Sequence, residues 1–380
     1  MTEGIQILSV EEGYKSLAKE IKKCLRGGKI LLFAAEGRDC EDAKATLALE
    51  GYTVVKREVS DAFIMRRSFD REEIGFIAAT VGVGGLREME ATKDYAAYAK
   101  VPAFLYPTDL TALSAFREDA EFTTAAQRVT VRSDCFTVVM DSALRASQEG
   151  LCSGLGYLLA RFAEGLDGAY ADLILHKKDP SSALIALRRA FDGWAEDRPL
   201  SDRICDAVLA IAACKRESPA VKSATELAFL AARREGGRYD EYLFPAAYAL
   251  LDLYRYYLSD FPLECALPPD RAENAARIES ACGLSAAALL ARSDRYADGY
   301  GERMQVTGEY REDFLQTIAS FPLAAFCRAY RRAPAVSAEK TLSSEGLLEL
   351  LSLTGEAVSG YALVKHIKLT GLLEPLLISA

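Results

Sequence analysis

The densest chemical signal in this chain lies in residues 74–93, IGFIAATVGVGGLREMEATK. An apolar run rich in β-formers ends in Gly82-Val83-Gly84-Gly85, and a helical pattern follows at once. Glycine at a strand-to-helix turn lets backbone N–H groups approach an anion, and the new helix points its positive end at the same place. The pattern reads as a cradle for a nucleotide pyrophosphate, with an ordinary tight turn as the alternative. Bulky Leu86, directly after the glycines, narrows such a cradle. Two other residues suit a dinucleotide. Thr108, after Pro107, offers a hydroxyl near a phosphate or nicotinamide. Glu36, just beyond the run KILLFA, is placed to accept hydrogen bonds from an adenosine ribose. A carboxylate there disfavours a 2′-phosphate, which makes NAD the expected cofactor. The other reading of Glu36 is a solvated loop carboxylate, and Asp109 and Thr111 read as turn and cap residues.

The elements that would position these groups alternate between strand and helix. Ser9 to Glu12 offers a capping box for a helix running to about Leu25 and stopped by Gly27-Gly28. The strands expected are Lys29–Ala34, Tyr52–Val59, Ile74–Val81 and Ala103–Tyr106, with helices at Cys40–Glu50 and Arg87–Lys100 between them. Such alternation implies a parallel sheet. RVTVR and FTVVM flank Ser133-Asp134 as a β-hairpin. From Gln148 onward every periodic segment is helical: Leu151–Leu166, Ala169–His176, Ser181–Ala195, Ser201–Lys215, Pro219–Arg234, Glu241–Ser259, Arg271–Ala291, Glu309–Arg331 and Ser344–Lys368. The fold expected is an α/β N-terminal domain with a Rossmann-like parallel sheet, residues 1–149, followed by an all-α C-terminal domain, residues 150–380.

Bulk properties narrow the function classes. At 380 residues the chain can build two cores. A net charge of −9 without a Lys/Arg-rich run argues against a nucleic-acid or anionic-membrane surface. No uninterrupted apolar stretch reaches membrane-spanning length, and the acidic N-terminal residues do not read as a signal peptide. Nine cysteines, an odd number without a C-x-x-C, suggest reduced thiols and a cytoplasmic protein.

The glycine segment also resembles the GVGGGKxxDxxK signature of the dehydroquinate-synthase-like, iron-containing alcohol dehydrogenase superfamily. Gly82, Gly84 and Gly85 match its glycines, Glu90 stands at its Asp and Lys93 at its Lys, while Leu86 and Arg87 depart from it. Pro102, Pro107 and Thr108 match its P-x-x-x-x-P-T segment, and Cys152–Phe162 is similar to its "AGxGDxLxxY" helix. The resemblance implies NAD-linked oxidation of a small polyol or polyol phosphate, as in glycerol and sn-glycerol-1-phosphate dehydrogenases. It implies cofactor contacts at Gly82, Gly84, Gly85, Lys93 and Thr108, beside Glu36.

It also implies one divalent metal held in the helical half, and here the residues depart. Tyr157 stands at the GxGD aspartate. In RYDEYLFPAAYAL, Tyr242 stands at the S-x-x-E-H histidine and Tyr248 at a second one. The sequence holds two histidines, His176 at a helix C-terminus and His366 on a lysine-flanked, surface or half-buried helix, and neither fits a ligand position. A carboxylate-only site from Asp240, Glu241 and Asp260 would suit magnesium or calcium better than zinc. The usual metal is expected to be absent. Tyr157, Tyr242 and Tyr248 are then candidate hydrogen-bond donors or general acids, or fillers of a vacated cavity. The tyrosine-rich stretch Leu250–Phe261 reads as core, subunit interface or ligand surface. Three functions remain open: an NAD-linked polyol dehydrogenase, a metal-free relative that binds a nucleotide or metabolite, and a metal-independent enzyme with a tyrosine acid. The partners expected are a small-molecule nucleotide or polyol and a second copy of the chain.

Overall fold

The computed structural model of the chain describes residues 5–59, 76–117, 119–123, 128–133, 136–194, 197–213, 221–260, 299–333, 342, 344–358 and 360–374. The chain divides into two compact units, Met1–Gly154 with Asp197–Cys205, and Leu155–Glu196 with Asp206–Ala380.

The first unit is built on a parallel six-stranded sheet. Its strands are β1 (Ile5–Ser9), β2 (Gly28–Ala34), β3 (Tyr52–Arg57), β4 (Ala79–Gly84), β5 (Ala103–Pro107) and β8 (Phe136–Met140). They lie in the order β1-β8-β5-β4-β2-β3, every pairing parallel. Helices α1 (Tyr14–Cys24), α2 (Arg38–Leu49) and α3 (Leu86–Ala99) and a 3₁₀ turn (Leu110–Ala115) lie between the strands, and α4 (Ser142–Ala146) follows the last of them. β2 shows how sequence sets the layers. Ile30, Leu32 and Ala34 face the core shared with α1 and α2, while Leu31 and Phe33 face Ala91 and Tyr95 of α3. Alternation along a strand sends successive side chains to opposite faces, and here both faces are apolar because both are covered.

Three expectations change. Ile5–Ser9 is a strand, paired with β8, so Ser9 belongs to the sheet and α1 begins after Gly13 rather than at a Ser9 capping box. The five residues IQILS are short enough to be masked by the capping signal behind them. RVTVR and FTVVM are not a hairpin. Arg128–Arg132 (β7) pairs antiparallel with Asp119–Thr123 (β6), and continuously apolar β8 enters the parallel sheet, where both faces are buried. Asp134, in the expected hairpin turn, lies outside the described residues. The strand before the glycines extends through Gly84, and its expected start at Ile74 also lies outside them.

Every described element of the second unit is helical. The sequence patterns at Leu151–Leu166 and Ala169–His176 join into one helix, α5 (Leu151–His176), since nothing at Asp167-Gly168 breaks it. It is followed by α6 (Ser181–Arg189), α7 (Leu200–Ala213), α8 (Ser223–Glu235) and α9 (Tyr239–Ser259). The segment expected as one helix over Glu309–Arg331 is two, α10 (Tyr300–Ser320) and α11 (Leu323–Arg332), separated at Phe321-Pro322 because proline disfavours a helical residue before it. Ser344–Lys368 likewise splits into α12 (Ser344–Ala357) and α13 (Leu363–Leu369). The helix expected at Arg271–Ala291 lies outside the described residues.

Candidate functional site

Parallel sheets bind ligands at the carboxyl ends of their strands, where the direction of winding reverses. From β2 the chain steps outward to β3; from β4 it steps the opposite way to β5 and β8. The reversal therefore falls between β2 and β4. Glu36 follows β2 and Gly84-Gly85 close β4, so the topology brings these expected cofactor groups to the two flanks of one crevice. Thr108 stands beside them: its N–H donates to the Gly84 carbonyl at 3.0 Å. Glu36 is exposed, with Lys56 Nζ 3.5 Å from its carboxylate.

The glycine turn is more crowded than its sequence suggests. Gly82 serves packing, since a Cβ there would come 2.4 Å from Thr92 Oγ1 on α3. Gly84 has φ +142°, which favours glycine, and a Cβ there would lie 3.0 Å from Glu88 Oε2. The Glu88 side chain folds back over the start of α3 and accepts from the Gly85 N–H at 3.1 Å, half of a capping box. The Leu86 N–H donates to Thr111 Oγ1 at 3.2 Å, and that hydroxyl donates to Asp109. Burial, reinforced by the charge of Asp109, pushes the Glu88 carboxyl above its ordinary value against the hydrogen bonds it accepts.

Lys93 points away from the crevice. It is fully buried, and its Nζ donates to the Ala115 carbonyl at 2.7 Å and lies 3.6 Å from Glu90. Arg117 donates to the Ser114 carbonyl at 2.6 Å and also reaches Glu90. Together they fasten the 3₁₀ turn whose start holds Asp109 and Thr111 against α3. Farther along the same edge, Tyr106 donates to Asp141 and Tyr14 to Asp39, their rings 4.5 Å apart. Burial and these carboxylates push both phenols far above the ordinary range, so they act as neutral hydrogen-bond donors.

This architecture is shared with solved structures. Maleylacetate reductase from Rhizobium sp. strain MTP-10005 superposes with a TM-score of 0.55 at 14% identity, covering 100% of this chain and 98% of that one. Glycerol dehydrogenase from Schizosaccharomyces pombe gives 0.51 at 14% identity, over 100% and 91%. An iron-containing alcohol dehydrogenase from Corynebacterium glutamicum gives 0.53 at 14% identity, over 99% and 95%. The chain has the iron-containing alcohol dehydrogenase fold. No protein-family model matches the sequence, and no curated protein matches it.

Within this fold, the helical segments singled out as ligand-bearing do meet. Gly156, beside Tyr157 on α5, faces Leu243 and Phe244, beside Tyr242 on α9; a Cβ on Gly156 would come 2.8 Å from the Phe244 backbone nitrogen. The seam is closed by backbone contact. Tyr157 and Tyr242 are both buried, and the Tyr242 hydroxyl donates to the Gly236 carbonyl at 2.9 Å. Tyr248 lies on another face of α9 and is 41% exposed, so it does not join them. The carboxylate alternative is not assembled either. Arg238 forks onto Asp240 at 2.9 and 2.6 Å, and Asp260 caps the far end of α9, about 30 Å along the helix axis from Asp240. These residues do not fit a divalent metal, and among the described residues no three of His, Cys, Asp or Glu converge as ligands.

His176 ends α5, as expected from its sequence position. His366 does not sit at the surface: it is fully buried on α13, its Nδ1 2.9 Å from the Tyr361 hydroxyl and its Nε2 3.1 Å from that of Tyr257. Its lysine neighbours misled the reading. Lys365 and Lys368 are buried as well, spent on the Val358 and Ser352 carbonyls and on Glu356. Burial, with the charge of Arg303, lowers the His366 pKa to about 3.

Sequence reasoning missed Asp167. Buried on α5, it accepts from the Ser223 hydroxyl, from Tyr254 at 3.0 Å and from the Leu363 N–H at 2.7 Å; burial raises its pKa to about 7 against those bonds. The tyrosine-rich helix supplied the signal: Tyr254 and Tyr257 are the inward pair of Leu250–Phe261, and they point at this acid and at His366.

Proposed function

We propose that this chain is a metal-free relative of the iron-containing alcohol dehydrogenase fold that binds a small metabolite, of the polyol or nucleotide class, without metal-assisted hydride transfer. The supporting observation is the closed seam at Gly156, where tyrosines occupy the positions at which the family resemblance calls for ligands. A divalent metal in an oxidoreductase needs imidazole or carboxylate lone pairs converging on one point. The Tyr242 hydroxyl is instead engaged with the Gly236 carbonyl, and no imidazole or carboxylate stands at either tyrosine position. The acidic charge and the cysteines without C-x-x-C support a cytoplasmic setting, and we expect a homo-oligomer.

A second reading, NAD-linked oxidation of a small polyol or polyol phosphate, draws support from Glu36 and Gly84-Gly85 on the two flanks of the β2/β4 crevice and from the fold shared with a glycerol dehydrogenase. In its metal-independent form, Tyr157 or Tyr242 would take the proton of the substrate hydroxyl as the hydride passes to NAD, and return it as an acid in the reverse reduction. Elemental analysis of protein purified without a histidine tag, before and after incubation with zinc or iron, separates these readings. We expect no stoichiometric metal and no polyol turnover with NAD. One tightly bound metal per chain, with turnover abolished by a chelator, would overturn the proposal. Turnover that survives chelation and collapses in Tyr242→Phe would move the chain to the tyrosine-acid reading.

A further inference from the structure

We infer that the chain fills its own dinucleotide-phosphate position with Glu88 and Asp109, and that dinucleotides are thereby excluded from the β2/β4 crevice. A pyrophosphate at a helix N-terminus needs available N–H groups, room against the glycine backbone and a positive local field. Much of each is already taken. The Glu88 carboxylate accepts from the N–H of Gly85 and from its own, and the Leu86 N–H is held by Thr111 Oγ1. On the side-chain side of Gly85 even a methyl group would sit 2.8 Å from both Asp109 Oδ2 and Thr111 Oγ1. The field at the helix end is met by two carboxylates, with Arg87 the cation that acts on Glu88. A pyrophosphate would add negative charge where two acids already stand.

The arrangement is anchored rather than incidental. Asp109 begins the 3₁₀ turn, accepting from the Thr111 N–H at 2.7 Å, and the far end of that turn is fastened from within by buried Lys93 and Arg117. The helix end is thus held by the protein's own acids. This inference stands apart from the metal question: a chain that binds metal could still reject NADH, and a metal-free chain could still accept it.

Calorimetric titration of the 380-residue chain with NADH, NADPH and ADP-ribose tests it. Wild type is expected to show no saturable binding, with any Kd above about 1 mM. Glu88→Ala combined with Asp109→Asn is expected to bind NADH at least about tenfold more tightly, a change of roughly one decade in Kd. Glu88→Gln removes charge while keeping a capping oxygen and is expected to gain less. It is the variant to read if the double substitution melts early. Saturable micromolar binding by wild type would overturn the inference. So would folded variants, verified by a cooperative thermal transition, that gain nothing. Neither result bears on metal content, so this inference and the metal-free reading fail separately.

Discussion

The two units handle their buried and half-buried acids in different ways. At the sheet edge, Glu88 and Asp109 are satisfied by local partners, within a few residues of themselves or across one turn. In the helical unit, Asp167 is satisfied by groups from three distant segments, at Ser223, Tyr254 and Leu363. The first arrangement closes a place where an anion would otherwise dock. The second holds a bundle together. The difference teaches that a carboxylate in a ligand-binding fold acquires its role from who its partners are, not from where its motif lies.

The comparison predicts that damage to the helical unit costs more than damage at the sheet edge. Gly156→Val should have the largest effect, destabilising by about 3 kcal/mol in urea unfolding, because the obstacle to a side chain is the Phe244 backbone and cannot rotate away. A loss below about 0.5 kcal/mol would mean that the seam is looser than described. Asp167→Ala should cost about 2 kcal/mol by stranding two hydroxyls and one N–H. Glu88→Ala should cost about 1 kcal/mol, the loss of one cap. Finding Glu88→Ala more damaging than Asp167→Ala would reverse the comparison.

Acid dependence sharpens it further. His366, with a folded pKa of about 3 against an ordinary 6.5, is neutral in the native state where the unfolded chain holds a proton, so its contribution falls as pH drops from 6.5 towards 3. Asp167, at about 7 against an ordinary 3.8, keeps a proton that the unfolded chain has lost, so its contribution rises as pH drops from 7 towards 4. The two slopes oppose each other between about pH 4 and 6.5. Asp167→Asn removes one of them, and its unfolding midpoint should therefore climb with pH across that window more steeply than wild type. Parallel profiles for the two proteins would refute the opposition. The smallest effect belongs to the crevice flank: Glu36→Gln breaks an exposed contact with Lys56 and should leave the melting temperature unchanged.

Much of the sheet unit was legible because its signals are local. KILLFA, FTVVM and the glycine run announce strands through apolar continuity and punctuation, but the strand order, which sets the β2/β4 crevice and takes FTVVM out of its expected hairpin, belongs to the assembled sheet. The closure of the turn was half legible. Gly85 to Glu88 has the spacing of a helix-start carboxylate, but the approach of Asp109 depends on the 3₁₀ turn, which no local pattern marks. In the helical unit the tyrosines at 254 and 257 advertised an inward face without naming its partners. Asp167 lies in an otherwise apolar helix, and its partners are remote in sequence. His366 reads as surface or half-buried because lysines flank it, whereas a buried lysine with carbonyl and carboxylate partners is tolerated.

The bond from the Leu363 N–H to Asp167 spans 196 residues. Closing so long a loop is entropically slow, and contacts of high sequence separation form late. On the ribosome, the Asp167 carboxylate and the tyrosines of α9 emerge well before α13 exists. The helical unit therefore completes its core only when this late segment has left the exit tunnel. Until then, synthesis leaves a partly assembled bundle with a polar seam still open, the kind of intermediate that chaperones shelter.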